Sequence, residues 1–414
     1  MRQYGWRLFL GDSVAGITVA LVALPLSIAI AIASGAPPQA GLVTAVIGGL
    51  LISLLGGSRV QIGGPTGAFI VVVYDVIERH GFDGLLLATL MAGAILVVGG
   101  LLRAGRIIAL VPEPVVEGFT VGIALIIAVS QLSDLLGLSA RVPADFMEAL
   151  AALWRAWASF NGVALLLGAS AIAGIALLRR LVPWFPGSIL VIAIASALVA
   201  ALALPVDTIQ SRFGALPAGL PMPSLPPVSL ARMGELLPAA LVIAFLAAVE
   251  SLLSAIVADR MIGGKHRPNA ELLAQGAANL ASPLFGGLPA TGAIARTAVN
   301  VRAGGQTPVA GMVHAVVILL VTLLLGRLIG FLAMPALAAL LIVTAWIMSE
   351  PHRWGERLRL RLGDRILLFL TMILTVVTDL TIAIGVGTIA GFALRLLRRD
   401  AHAEEWAPSD RSQL

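Results

Sequence analysis

The chain contains no cysteine and carries little charge for its length. Only 12% of its 414 residues are Asp, Glu, Lys or Arg, and Lys265 is the single lysine; in an average soluble domain the charged share is about a quarter. Without cysteine there are no disulfides and no cysteine-ligated metals. The five histidines show no HExxH-type spacing, so neither a metal site nor a cofactor is expected.

Long apolar stretches take the place of the missing charge. Hydrophobic residues make up 59% of the chain, and the mean hydropathy is +1.01. Apolar runs of about 18 residues, long enough for a membrane-spanning helix, recur throughout. The excess of arginine falls in short loops between these runs, which is typical of topology signals and not of a nucleic-acid surface. The sequence therefore predicts an all-α polytopic protein whose surroundings are a lipid bilayer and which binds no nucleic acid.

About fourteen membrane elements are predicted, seven in each half, and the third of each seven is short. They cover residues 14–33, 40–55, 68–77, 85–102, 115–136, 163–178 and 188–204, and then 236–257, 271–284, 293–301, 309–325, 333–348, 366–377 and 380–397. Because seven is odd, the second set enters the membrane from the opposite side, as an inverted repeat. The expected division is a first repeat over 1–204, a linker over 205–230, a second repeat over 231–400 and a tail over 401–414.

The distribution of arginine predicts the orientation. With the N-terminus in the cytoplasm, most arginines fall in cytoplasmic loops, and an even number of elements returns the C-terminus to the same side. We expect an inner (plasma) membrane protein with both termini cytoplasmic. The outer connections include 144–158, predicted as an interfacial helix with Trp154 and Trp157 at headgroup level, and the proline-rich stretch "LPAGLPMPSLPP", which cannot form a regular helix.

Two similar motifs interrupt the apolar sequence. "GGPTGAFI" spans 63–70 and "GLPATGAI" spans 287–294. Glycine and proline break a helix, and non-helical backbone inside a membrane must be shielded by protein. The prediction is a short strand at 60–62 and at 284–288, each leading to a half helix that begins near Thr-Gly-Ala.

Inversion brings the N-termini of the two half helices together near the middle of the membrane. Free amides and the positive ends of two helix dipoles would there form an anion site. The hydroxyls of Thr66 and Thr291 either cap the helices or contact the ligand. The candidate binding residues on the half helices are Gly67, Ala68, Phe69, Thr291, Gly292, Ala293 and Ile294.

Two charged residues fall inside membrane elements. Glu250 is expected to take up a proton or to help bind a cation, or alternatively to pin unwound backbone or pair with Arg296. Arg296 would add positive charge for the anion, or pair with Glu250 or reach the inner interface. Leu26, Ser27, Ser251 and Ser254 complete the candidate site, although serines in membrane helices more often bond their own preceding carbonyl.

These motifs resemble the SulP family of anion transporters, the sulfate permeases and relatives that include prestin and pendrin. The resembling stretches are "VALPLSIAIAIASGAPPQAGLVTAVIGGLLISLLGGSR", "PVVEGFTVGIALIIAVSQL", "ALAALLIVTAWIM" and, most specifically, residues 247–315 around "LFGGLPATGAIARTAVN". The resemblance implies a core of elements 1–4 and 8–11, a gate of the remaining elements, substrate between elements 3 and 10 flanked by 1 and 8, and an elevator-type motion.

The chain departs from the family pattern in two places. Many members carry Gln just after the first-span proline, where this chain has Leu26 after Pro25. Leu26 and Phe69 make one side of the site apolar, which favours an organic carboxylate. Most members also continue into a cytosolic STAS domain, which would begin near residues 401–414: either that domain was cut away or this member lacks it.

The expected function is secondary active transport of a small anion with proton-coupled symport, H⁺ being favoured over Na⁺. Sulfate, bicarbonate, chloride and a dicarboxylate such as fumarate remain open as substrates, as does assembly into a homodimer. The alternatives are a nucleobase–proton symporter of the same fold and an anion channel, which would need a continuous polar path. A membrane enzyme is disfavoured, because no catalytic arrangement converges in the spans.

Overall fold

The computed structural model describes residues 4–105, 112–140, 142–143, 145–182, 185–215, 219–378 and 380–397. By length and composition, eight of the helices in these ranges could cross a membrane, and Gly187–Leu202 is a shorter apolar helix. The all-α polytopic fold is thereby confirmed. The predicted tail 401–414 lies outside the described residues.

Among the described residues, the first half contains eight helices and one strand. They are α1 (Trp6–Ala33), α2 (Pro38–Leu55), β1 (Gly63–Gly64), α3 (Ile70–Leu101), α4 (Glu113–Ser130), α5 (Leu132–Leu136), α6 (Phe146–Arg155), α7 (Gly162–Leu181) and α8 (Gly187–Leu202). A π-helical turn over Thr44–Gly48 interrupts α2, and a 3₁₀ turn over Gly67–Phe69 leads into α3.

The second half repeats this order in the opposite sense. It contains α9 (Ile209–Phe213), α10 (Leu230–Ile262), α11 (Pro268–Ala281), β2 (Thr291–Gly292), α12 (Ile294–Arg302), α13 (Val309–Ile329), α14 (Met334–Met348), α15 (Trp354–Arg359), α16 (Leu362–Val377) and α17 (Leu380–Leu397). The strand before a half helix recurs at the third position of each half, as the inverted repeat requires.

Predicted elements 3 and 4 are the two arms of one bent helix. Within α3, Gly81 has φ 72° and ψ 175°, far from helical values. A residue without Cβ adopts this conformation at little steric cost. Residues 70–80 therefore form the first half helix, and residues 82–101 form the full span that follows it.

The predicted strand positions, 60–62 and 284–288, were wrong by several residues. The strands are Gly63–Gly64 and Thr291–Gly292, and they pair with each other antiparallel, Gly63 opposite Gly292 and Gly64 opposite Thr291. Gly63 and Gly292 face each other in the pair because side chains do not fit there: a Cβ on Gly63 would collide with Ile52, and one on Gly292 would collide with Gln61. Pairing also satisfies backbone groups that lipid could not.

The helices pack into two groups, which we call the core and the gate. In the core, α3 packs on α10 and α11, α13 packs on α1, and α12 packs on α10. In the gate, α16 packs on α4 and α17, and α14 packs on α4 and α7. Each repeat contributes to both groups, as expected for elements 1–4 and 8–11 against the rest.

The connections on the side opposite the N-terminus contain the predicted amphipathic helix. It is observed as α6 followed by a 3₁₀ turn over Ala156–Ser159. Trp154 is 80% exposed and Trp157 is 56% exposed, which suits aromatic rings that meet lipid headgroups. In the following connection, after the short helix α9, the described part of the proline-rich stretch forms no helix, as predicted.

Candidate functional site

Buried side chains hold the two extended segments in the core. The Asn279 side chain bonds both backbone groups of Ala290, accepting from its N–H at 2.9 Å and donating to its carbonyl at 2.7 Å. Asn300 donates to the carbonyl of Val60 at 2.8 Å. Each of these side-chain amides makes hydrogen bonds that a neighbouring strand would otherwise make with the extended backbone. The N-termini of both half helices are thereby fixed beside the strand pair.

Several backbone amides at these N-termini have no acceptor within the described residues. They are the amides of Gly67 and Ala68 before the first half helix, and of Ile294 and Ala295 at the start of α12. The two amides before Ile294 are engaged: that of Gly292 donates to Ser251 Oγ at 2.9 Å, and that of Ala293 donates to the carbonyl of Ile62 at 2.9 Å. The available donors therefore belong to the first turns themselves, where the helix dipole is positive.

Glu250 reaches the start of the first half helix. The Thr66 hydroxyl donates to its Oε2 at 2.8 Å. The rest of Glu250 is partly exposed, whereas Val249 and Ser251 beside it are buried. A single carboxylate from α10 is thus held by Thr66, the residue directly before Gly67.

Arg296 makes no ion pair with Glu250. Its Nη2 donates to the carbonyl of Pro65 at 2.7 Å and to Ser27 Oγ at 3.3 Å. The residue is 2% exposed, and in the described part of the chain its Nε and Nη1 have no acceptor. The guanidinium therefore spans from α12 to the segment before the first half helix and keeps two donors for a ligand or for water.

The candidate serines of α10 bond across the core and not to their own helix. Ser251 Oγ lies 2.9 Å from Thr291 Oγ1, and Ser254 Oγ lies 3.3 Å from Thr297 Oγ1. Thr291 also donates to the carbonyl of Ala247 at 3.1 Å. Neither Thr66 nor Thr291 provides a side-chain cap. The hydroxyls instead fasten α10 to both half-helix starts.

The apolar candidates divide into two kinds. Phe69 is 2% exposed and belongs to the hydrophobic core, with Ala293 at 7% also buried. Leu26, Ala68 and Ile294 are partly exposed. Leu26 and Ala68 pack against the same core. The partly exposed side chains of Leu26, Ala68 and Ile294 are therefore available to line a binding site.

A cavity of 1310 Å³ opens on the face opposite the N-terminus. It extends along the first half helix from Glu78 down to Ile70 and Val71, and Ile126 and Gln131 line its gate side. None of the predicted site residues lines it, but it ends at Ile70, directly after Phe69. The cavity is therefore a path towards the half-helix ends and not the site itself.

Four contributors escaped the sequence reasoning. Gln61 donates to the carbonyl of Ser251 at 3.2 Å, and Thr297 accepts from the amide of Ile62 at 3.1 Å. A polar residue within an extended intramembrane segment is a signal that could have identified Gln61. Ile127 and Met348 of the gate contact Gly67. No local sequence pattern predicts such contacts between elements that are distant in the chain.

Two inverted half helices that meet at a buried strand pair, between a core and a gate, define a membrane transport fold. The Sulfate permease family model matches residues 9–371. The chain is 43% identical over 403 residues to the putative sulfate transporter YvdB of Bacillus subtilis, covering 96% of this chain and 75% of that protein. It is 31% identical to the bicarbonate transporter BicA of Picosynechococcus, covering 94% and 70%.

Solved structures agree with this assignment. The transmembrane domain of a cyanobacterial bicarbonate transporter BicA superposes with a TM-score of 0.83 at 28% identity, covering 94% of this chain and 98% of that one. SLC26A9, at 17% identity and a TM-score of 0.86, shares the fold. The chain belongs to the sulfate permease family and is an anion transporter of that family and not an enzyme.

Proposed function

We propose that the chain is a secondary active transporter that carries one small anion together with a proton. The observation that carries the proposal is the pair of half-helix N-termini, whose unpartnered amides at Gly67, Ala68, Ile294 and Ala295 flank one strand pair. Such amides bind anions through hydrogen bonds and the helix dipole. Two unpartnered donors of buried Arg296 add to them.

Glu250 supplies the coupling group in this proposal. An ionised carboxylate beside the amides of the first half helix opposes an incoming anion, whereas a protonated one does not. Proton binding and anion binding therefore favour each other, and by linkage the effect is reciprocal. The contact from Thr66 to Glu250 joins the proton site to the anion site in one hydrogen bond.

Transport requires that the site face each side in turn. We propose that the core moves as one body against the gate, because the strand pair and the α10 hydroxyls tie both half helices together. Both termini are proposed to lie on the cytoplasmic side of the plasma membrane, following the arginine distribution. The cavity above Ile70 would then open outwards.

The substrate class is tested by uptake into proteoliposomes. Radiolabelled sulfate, bicarbonate, chloride and fumarate are compared, with and without a pH gradient and with and without Na⁺, and uracil is the competitor. Similarity to the putative sulfate transporter YvdB favours sulfate, and similarity to the bicarbonate transporter BicA favours bicarbonate. The apolar Leu26 favours fumarate. The proposal expects saturable uptake of at least one anion that an inward proton gradient accelerates.

The same assay distinguishes the alternatives. Uptake driven by Na⁺ and indifferent to the pH gradient would contradict the proton coupling. Displacement by uracil but by no anion would indicate a nucleobase symporter. Unitary currents in a planar bilayer would indicate a channel.

A further inference from the structure

One of the contacts between the gate and the core lies at the start of the first half helix. Gly67 begins the first half helix, and a Cβ placed on it would lie 3.1 Å from Met348 Sδ, 3.5 Å from Ile127 Cδ1 and 3.7 Å from Met348 Cε. Met348 is the last residue of α14, and Ile127 lies in α4, so both belong to the gate. Two gate side chains thus lie directly against the residue whose amide is a predicted anion donor.

The two sides of this contact differ. On the face opposite the N-terminus, the 1310 Å³ cavity descends between core and gate as far as Ile70 and Ile126. Met348 comes from the other direction: α14 begins near the cavity at Met334 and runs from there to Met348, towards the face that holds the N-terminus. The path is therefore open above Gly67 and filled by a thioether below it.

A buried ion cluster fixes the end of α14. Arg357 donates to the carbonyl of Ser349, directly after Met348, at 2.6 Å, and its Nη2 lies 3.1 Å from a Glu350 oxygen. Its Nε lies 3.3 Å from Glu117 at the start of α4. The cluster therefore joins the two gate helices that carry Met348 and Ile127 and sets where both side chains meet the core.

We propose that Met348, with Ile127, is the seal that closes the site towards the face of the N-terminus while the opposite cavity is open. The inference rests on the proposed function and deepens it by assigning a barrier to named residues. An unbranched thioether suits this role, because it packs tightly yet changes rotamer readily when the core moves. A Cβ on Gly67 would lie 3.1 Å from Met348 Sδ, closer than ordinary van der Waals contact, so the thioether would have to shift.

The barrier is tested by thiol labelling, because the chain has no cysteine of its own. Met348→Cys introduces one thiol into reconstituted protein, and a membrane-impermeant thiosulfonate is added from either face. We expect the reagent to label from the face of the N-terminus at least about tenfold faster than from the cavity face. This ratio corresponds to a difference of about 1.4 kcal/mol between the free energies needed to reach the thiol from the two faces. Equal labelling from both faces would overturn the proposal.

A second measurement uses the contact itself. Gly67→Ala should lower the uptake rate by about tenfold, because the added methyl overpacks against the sulfur. Adding Met348→Ala should restore most of the loss, since contacting sites are not additive. Ile347→Ala, an exposed neighbour on α14, is the control and should restore nothing. Rescue by Ile347→Ala, or none by Met348→Ala, would contradict the seal.

The two measurements separate this inference from the proposed function. Labelling reports access and requires no knowledge of the anion, so the seal can fail while anion uptake stands. Conversely, protein that labels as expected but takes up no anion would refute the transport proposal alone. Met348→Leu preserves side-chain volume, and a normal size-exclusion profile for it and for Met348→Cys shows that the fold survives.

Discussion

At the scale of single residues, the two charged side chains inside the membrane elements, Glu250 and Arg296, lie beside the half-helix starts and do not pair with each other. A charged residue inside an apolar run indicates function. The hydrogen-bond partners of the two side chains do not follow from the sequence. Arg296 donates to Pro65 and Ser27 instead of pairing with Glu250, and Glu250 accepts from Thr66. Partners depend on which strands pair, and that is a long-range property.

Glu250→Gln should abolish acceleration by a proton gradient while leaving anion binding in place. The amide keeps the shape and the contact with Thr66 but cannot exchange a proton at working pH. Uptake by proteoliposomes, measured with and without a pH gradient, checks this. Glu235→Gln, an exposed carboxylate on the same helix, is the matched control. Full gradient dependence in Glu250→Gln would remove Glu250 from the coupling step.

At the scale of elements, the broken helices were predictable and the exact strand residues were not. Glycine and proline located the interruptions at both Thr-Gly-Ala motifs, because these residues disfavour a membrane helix wherever they stand. The strands were expected at 60–62 and 284–288, yet they form at Gly63–Gly64 and Thr291–Gly292. Propensity favours branched residues, but the close approach of Ile52 and Gln61 requires glycine.

Gly292→Ala should strongly destabilise the core and abolish uptake. The new methyl would collide with Gln61, which is itself bonded to Ser251, and overpacking of this kind costs about 1–3 kcal/mol or more. Thermal unfolding in detergent provides the measurement. Gly326→Ala in α13 is the control, because no atom lies near the added methyl, and its stability should be unchanged or slightly higher. Equal melting temperatures for the two variants would contradict the close packing.

Asn279→Ala tests the side chain that replaces a strand. It leaves both backbone groups of Ala290 without their partner, at about 1–3 kcal/mol for each buried group. A lower melting temperature and loss of uptake are expected. Asn279→Asp would bury a carboxylate against the carbonyls of Gln275 and Ala290, so it should destabilise at least as much as Asn279→Ala; a wild-type melting temperature for either variant would contradict the described bonding.

At the scale of the whole molecule, the division into core and gate is implied by the family resemblance, but the ties within each group are not. The cluster of Glu117, Glu350, Arg353 and Arg357 joins α4 to α14 and α15. The sequence favours ordinary surface pairing for Glu117, because it flanks a loop. In the structure the Arg357 side chain is only 3% exposed, since the helix ends cover it.

Arg357→Ala should therefore destabilise the gate by about 3–5 kcal/mol, because the carboxylate of Glu117 loses one of its arginine partners. The melting temperature in detergent measures this. Arg327→Ala removes an exposed arginine and should change stability by no more than about 0.5 kcal/mol. A similar shift for both variants would mean that the cluster contributes no more than a surface charge.

The pairing of Gly63 and Gly64 with Thr291 and Gly292 has a genetic consequence. Both strands beside the proposed anion site belong to one polypeptide, and a neighbouring copy cannot supply either of them. Two lesions, one in each repeat, should therefore fail intragenic complementation when carried on separate alleles in one cell.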